Sequence, residues 1–215
     1  MTSERIFLDH NAGAPVFPEA LEAAVAAARA GGNASSVHTE GRAARARIEA
    51  ARRAVADLVG ADPRGVVFTS GATEANVFAL SPTMREAGRD VRLDRLLIGA
   101  TEHPSVLAGG RFPADRIEPI AVDADGLLRL DALERALEEA TARGERTLVS
   151  VQLANSETGV IQPIAEIAGI ARACGAIVHC DAVQGAGRIA LDTPALDVDL
   201  LSLSAHKIGG LPGTG

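Results

Sequence analysis

Six short runs rich in aliphatic and β-branched residues, at 66–69, 96–100, 117–122, 147–153, 176–181 and 200–204, recur along the chain with longer helical stretches between them. Strands separated by helices join as parallel neighbours through helical crossovers, because two parallel strands cannot be linked by a tight turn. That pattern restricts the chain to the α/β class: a mostly parallel sheet with helices on both faces. The helices are legible too. Residues 40–59 are rich in Ala and Arg, carry Ile48, Val55, Leu58 and Val59 at helical spacing, and meet a stop at Gly60. Further helices are expected at 18–30, 72–80, 130–143 and 165–174, with Ser81-Pro82 closing the second of these.

Hydrophobic residues make up 47% of the 215 positions, enough for a sizeable core. The net charge of -7 is spread over both halves, aromatic residues are only 2%, and no basic block occurs. A nucleic-acid surface needs clustered Lys/Arg and stacking rings, so that partner class is set aside and a small molecule is favoured. No apolar run reaches the roughly 18 residues of a membrane span, and MTSERIFLDHN has neither the basic start nor the apolar stretch of a signal peptide. No membrane association and a cytoplasmic location are therefore expected. Cys174 and Cys180 lack metal-site spacing and lie among apolar residues, the setting of packed thiols, so neither a disulfide framework nor a bound metal is expected. The closing GGLPGTG supplies no helix or strand to finish a fold, and the expectation is a chain that continues in a longer protein.

The strand ends carry the chemistry. Ser204-Ala205-His206-Lys207 closes the apolar run at 200–203 and precedes the flexible Gly209-Gly210. A lysine at the rim of a sheet, beside another positive group, can lose its proton and become a nucleophile. Singly, such a lysine is more often a solvated loop charge. Asp181 ends another apolar run, with Gln184 three residues on. Desolvating a carboxylate is costly unless a cation or several donors meet it, and a protonated pyridine nitrogen is one such cation. The alternative is an aspartate that caps the next helix or turn.

Ser70-Gly71-Ala72-Thr73-Glu74-Ala75-Asn76 lies between a strand run and a helix. Glycine admits close backbone approach there, and the Ala72 and Thr73 amides at a helix N-terminus favour a phosphate. No Gly-Lys-Ser/Thr follows, which disfavours a nucleoside triphosphate. Thr101-Glu102-His103-Pro104-Ser105-Val106 and Ala154-Asn155-Ser156-Glu157-Thr158-Gly159 complete the set. His103 can stack on a flat ring and relay protons, and the Asn155 amide can donate to a phenolic oxygen; either residue alone is more often structural. Five polar clusters at the ends of five parallel strands converge on one crevice, and a shared ligand explains them together.

With these stretches in place the chain resembles the cysteine desulfurases of the class V aminotransferase group, a family of fold-type I pyridoxal-phosphate enzymes. The resemblance runs nearly end to end. It is carried in order by Leu8-Asp9-His10-Asn11-Ala12, by Gly32-Asn33-Ala34-Ser35-Ser36-Val37-His38 with Gly41-Arg42, by 68–76, 101–106, 155–159 and 179–184, and by 204–210. It implies the large domain of that fold, with residues 1–215 as the N-terminal segment plus most of the cofactor-binding domain, the rest of that domain and a small C-terminal domain lying outside this chain. It further implies that Lys207 bonds covalently to pyridoxal 5'-phosphate and that Asp181 holds the pyridinium nitrogen. His103 would stack on the ring, Gln184 and Asn155 would contact its phenolic side, and Ala72, Thr73, Ser204 and His206 would bind the phosphate.

The implied reaction takes L-cysteine to L-alanine. Lys207 moves the α-proton, His103 assists, and the sulfur passes to an enzyme cysteine as a persulfide for iron-sulfur clusters or other sulfur transfer. The resemblance also implies a homodimer at full length and a sulfur-acceptor or scaffold protein as partner. Neither Cys174 nor Cys180 matches the persulfide cysteine, so this chain alone is expected to be inactive. Two stretches depart from the family: Ile208-Gly209-Gly210-Leu211-Pro212-Gly213 lacks the usual basic residue after Lys207, and Ala12-Gly13-Ala14 replaces Ala-Thr-Thr. A selenocysteine lyase, another class V aminotransferase, or a pyridoxal-phosphate-binding fragment without turnover share the same pocket residues.

Overall fold

The expected alternation of strand and helix is realised in a computed structural model that describes residues 6–86 and 88–215. A hairpin of β1 (Thr83–Glu86) and β2 (Arg89–Arg92) precedes five further strands. These are β3 (Arg95–Gly99), β4 (Ile117–Ile120), β5 (Thr147–Gln152), β6 (Ile177–Asp181) and β7 (Leu200–Ser202). They stand in the order β4-β3-β5-β6-β7, every neighbouring pair parallel. The helices are α1 (Pro18–Ala30), α2 (Thr39–Val59), α3 (Ala72–Ala79), α4 (Pro104–Leu107), α5 (Leu130–Ala142), α6 (Ile164–Ala173) and α7 (Thr193–Leu196).

Strand side chains alternate between faces, so each strand serves two cores. Leu97, Val149, Val151, Val178 and Cys180 point to the face covered by α5 and α6, where Leu133, Leu137, Ile167 and Ala171 meet them. Leu96, Ile98, Leu148 and Ile177 point to the opposite face, against Leu80, Leu93, Val106 and Phe112 around α3, α4 and the hairpin. Each fully buried Leu, Ile or Val contributes about 1.5–3 kcal/mol. On this second face the strands turn polar toward their C-terminal ends: Ser150, Gln152, His179, Asp181 and Ser202 are all buried there. The chain runs from β3 to β4 on one side and returns past β3 to β5, and that reversal is where an open α/β sheet leaves a crevice.

One expectation needs correction, and one element of the fold has no counterpart among the expectations. The run at 66–69 is no strand of the sheet. Among the described residues Val67 and Phe68 stay exposed with no facing layer to bury them, and only Thr69 pairs, exchanging backbone hydrogen bonds of 2.7 and 3.0 Å with Gly215. The Arg52 guanidinium instead covers the Phe68 ring at 5.3 Å. The hairpin was not expected, because its strands are mostly charged and only Met84 and Val91 pack against the second core.

Candidate active site

The C-terminal ends of β3, β5, β6 and β7, with the start of α3, surround one cavity of about 910 Å³. Of the residues singled out from the sequence, Ala72, Thr73, His103, Asn155, Asp181, Gln184, His206 and Lys207 line it. Ser204 does not. It is buried behind the wall, where its Oγ pairs with His206 Nδ1 at 2.8 Å and so orients that imidazole.

The α3 end of the cavity is shaped by backbone. Gly71, the N-cap, has φ 153° and ψ 172°, a region essentially closed to other residues, and a Cβ there would meet no atom within 4 Å. The loop therefore opens toward the cavity and leaves the first amides of α3 without intrahelical acceptors. Glu74 reaches back to accept the Ser70 N–H at 2.6 Å, which holds its carboxyl below the usual range.

Asp181 is 6% exposed. Its Oδ1 accepts the Val183 N–H at 3.1 Å and its Oδ2 accepts from Asn76 Nδ2 at 2.8 Å. The Asn76 Nδ2 also donates to Ser105 Oγ at 2.9 Å, and Ser105 Oγ lies 2.7 Å from His103 Nδ1. His103 is the N-cap of α4, its Nδ1 accepting the Ser105 N–H at 3.2 Å. On the same lining Asn155 forms an Asx turn, its Oδ1 accepting the Glu157 and Thr158 N–H groups at 2.9 Å each, while Nδ2 donates one proton to Thr101 O at 3.1 Å. The second amide proton of Asn155 is available to a ligand.

Lys207 sits in a short 3-10 turn after β7 and lines the same cavity as Asp181. Its Nζ donates to the carbonyls of Asn11 and, at 3.1 Å, Ala12. Partial burial, aided by the positive charge of Arg188, lowers its pKa, which favours a nucleophilic amine. Burial, with Lys207 adjoining, lowers that of His206 as well. The strap over Lys207 is tethered at several points: Arg188 donates to His10 O at 2.8 Å, Gln184 to Asn11 O at 3.0 Å, and Asn11 to Ser156 O at 2.8 Å.

Residues 6–215 match the family described as aminotransferase class-V. The chain belongs to the class-V aminotransferase family. Within that family it is 40% identical over 215 residues to an IscS-like cysteine desulfurase of Mycobacterium tuberculosis, covering 97% of this chain and 54% of the relative. A NifS-like protein from Rickettsia africae superposes with a TM-score of 0.85 at 34% identity, covering 98% of this chain and 57% of that one. A structure described as SspA in complex with cysteine superposes at 0.83 with 28% identity, over 98% of this chain and 60% of that one. The chain thus spans about half the length of the curated relatives it matches.

This class-V aminotransferase chain holds four site residues to which the sequence reading gave no role. Asn76 and Ser105 link Asp181 to His103, as described above. Glu102 lies on the cavity lining with one carboxylate oxygen accepting the Gln152 N–H at 2.8 Å and the other without a partner among the described residues. Burial pushes its carboxyl well above the usual range, reinforced by the charge of Asp181. Gly99 makes room for it, since a Cβ there would come within 2.6 Å of Glu102 Oε1. His179, fully buried beneath Asp181 on the same strand face, bonds Ser150 Oγ through Nδ1 at 2.8 Å and Ser202 Oγ through Nε2 at 2.9 Å. Burial lowers its pKa to about 4 against the opposing charge of Asp181. A buried carboxyl or imidazole on a polar strand face was the available signal; the partners were not.

Proposed function

We propose that this chain forms the cofactor-binding part of a pyridoxal-phosphate-dependent cysteine desulfurase that takes L-cysteine to L-alanine and passes the sulfur to a thiol. The observation that carries this reading is the convergence of Lys207, Asp181 and His103 on one cavity with the N-terminus of α3. The residues fit the group. Asp181 offers a buried carboxylate to a ring nitrogen that carries a proton, the open Gly71 loop and the α3 amides offer an anion cradle, and Lys207 offers an amine for covalent attachment. Asn76 Oδ1 and Glu102 Oε2, both buried and unpartnered among the described residues, belong to residues on the same lining. The names of the relatives, and the cysteine in one structural neighbour, favour sulfur chemistry.

Pyridoxal phosphate, when bound, supplies the electron sink that stabilises negative charge at an amino-acid α-carbon. The chain's own residues do the rest. Asp181, held in orientation by Val183 N–H and Asn76, would keep a proton on the ring nitrogen. The α3 amides, with His206 oriented by Ser204, would hold the phosphate. Asn155 would offer its remaining amide proton to the phenolic oxygen, with Gln184 as a second contact there, and His103 would stack on the ring. Lys207, once released from the Asn11 and Ala12 carbonyls, moves the proton at the substrate α-carbon.

Neither cysteine of the chain serves as the sulfur acceptor in this reading. Cys180 is buried in β6, and burial pushes its thiol well above the usual range; Cys174 caps the C-terminus of α6 and packs on the first core. An acceptor protein, homodimer formation and a cytoplasmic location complete the proposal; no helix among the described residues is long and apolar enough to cross a membrane.

The test adds pyridoxal phosphate to the full chain and to Lys207→Ala, follows visible absorbance, and maps the borohydride-reduced peptide. Attachment at Lys207 is expected of this chain, and sulfide and alanine release from L-cysteine is expected once the chain is extended to the length of its relatives. Attachment elsewhere, or none, overturns the cofactor assignment; amino transfer to a 2-oxo acid without sulfide overturns the desulfurase assignment.

A further inference from the structure

We propose that Asn76 and Ser105 are positioning residues that hold His103 with its proton on Nε2, so that His103 meets the bound substrate as a hydrogen-bond donor and leaves proton abstraction to Lys207. The inference rests on the reading of this cavity as a substrate site.

The direction of each hydrogen bond follows from what the groups can do. A carboxylate oxygen only accepts, so the Asn76 atom 2.8 Å from Asp181 Oδ2 is the amide nitrogen, which fixes the orientation of that side chain. The same nitrogen gives its other proton to Ser105 Oγ at 2.9 Å. At the far end a backbone N–H only donates, and the Ser105 N–H points at His103 Nδ1 from 3.2 Å as the helix cap. A proton on Nδ1 would face that N–H head-on, so Nδ1 presents its lone pair. The Ser105 hydroxyl, whose oxygen accepts from Asn76, donates its own hydrogen bond to the Nδ1 lone pair across 2.7 Å. Protons therefore run one way along the chain from Asn76 through Ser105 to His103.

Neutral imidazole carries one proton, and with Nδ1 accepting from two donors that proton resides on Nε2. A general base at Nε2 would need the opposite tautomer. Asn76 is 1% exposed and Ser105 8%, so water does not compete for these bonds, whereas His103 itself is exposed on the cavity lining. Asn76 serves two site residues at once: it steadies Asp181 and, through Ser105, sets the tautomer of His103.

The experiment records long-range proton–nitrogen spectra of the full chain labelled with 15N-histidine, before and after addition of pyridoxal phosphate, with His103→Gln to assign the signal. The Nε2–H tautomer is expected for His103 in both states. Ser105→Ala and Asn76→Ala should move the tautomer ratio by between about twofold and tenfold, the effect of one hydrogen bond, with circular dichroism confirming the fold. An Nδ1–H tautomer in the parent overturns the proposal whatever the variants do, and an unchanged ratio in both folded variants overturns the assigned roles of Asn76 and Ser105. Failure of pyridoxal phosphate to bind would refute the function proposed above while leaving the cofactor-free tautomer result to decide this inference by itself.

Discussion

Replacing His179 by Leu puts a number on the buried polar layer beneath the site. Leucine fills comparable space but leaves Ser150 and Ser202, at 0% and 3% exposure, without their imidazole partner. Each buried hydroxyl left unpaired costs about 1–3 kcal/mol, so the variant loses roughly 2–6 kcal/mol near neutral pH. The loss depends on pH with a definite sign. His179 in the fold has a pKa of about 4 against an ordinary 6.5, so between those values the unfolded chain takes up a proton that the native chain refuses. The parent's stability is then fully present above about pH 6.5 and falls as the pH drops toward 4. Two and a half pH units at about 1.4 kcal/mol each come to about 3 kcal/mol. His179→Leu has no such group, so the gap between parent and variant narrows by about 3 kcal/mol from neutral pH to about pH 4. Urea unfolding of both proteins across that range measures the gap, and titrating groups remote from His179 cancel in the difference. A gap that stays constant with pH would refute the neutral, doubly bonded His179; a gap that widens on acidification would show that the fold prefers it charged.

Gly71→Ala should cost about 1–3 kcal/mol through backbone strain alone, since its Cβ meets no atom; weaker retention of pyridoxal phosphate or inorganic phosphate by equilibrium dialysis should accompany it. Arg188→Ala removes the charge that helps lower the Lys207 pKa and one tether of the strap, so the pH midpoint for lysine capture of pyridoxal phosphate, read after borohydride reduction, should rise. Asp9→Asn should move that midpoint the other way. Leu97→Ala, deep in the first core, should destabilise by about 2–5 kcal/mol in urea.

Much of the site was legible because its chemistry is written in residue types at strand ends. Lys207, Asp181, His103 and the Ser70 to Asn76 loop each follow an apolar run or open a helix, and the topology of a parallel sheet brings such ends together. The longer helices, α1, α2, α3, α5 and α6, were legible for a similar reason, because apolar spacing, Pro18 at the start of α1 and Gly60 after α2 are local signals, whereas the one-turn α4 and α7 are too short to show a period. The run at 66–69 has the composition of a strand, yet strand formation needs a partner edge, and only Thr69 finds one.

What the sequence by itself determined was therefore periodicity, residue type and order, the properties set by neighbours a few positions apart. What only the tertiary structure decided was who meets whom. Asn76 and Asp181 are 105 positions apart, and Lys207 lies 195 from Ala12. No periodicity reaches that far. Those meetings depend on how α3 packs on the second face of the sheet and how the strap at 9–12 is tethered over β7. The tautomer of His103, the shifted His179 and the caged Lys207 ammonium follow from that packing, because hydrogen-bond direction and desolvation belong to an environment and not to a residue.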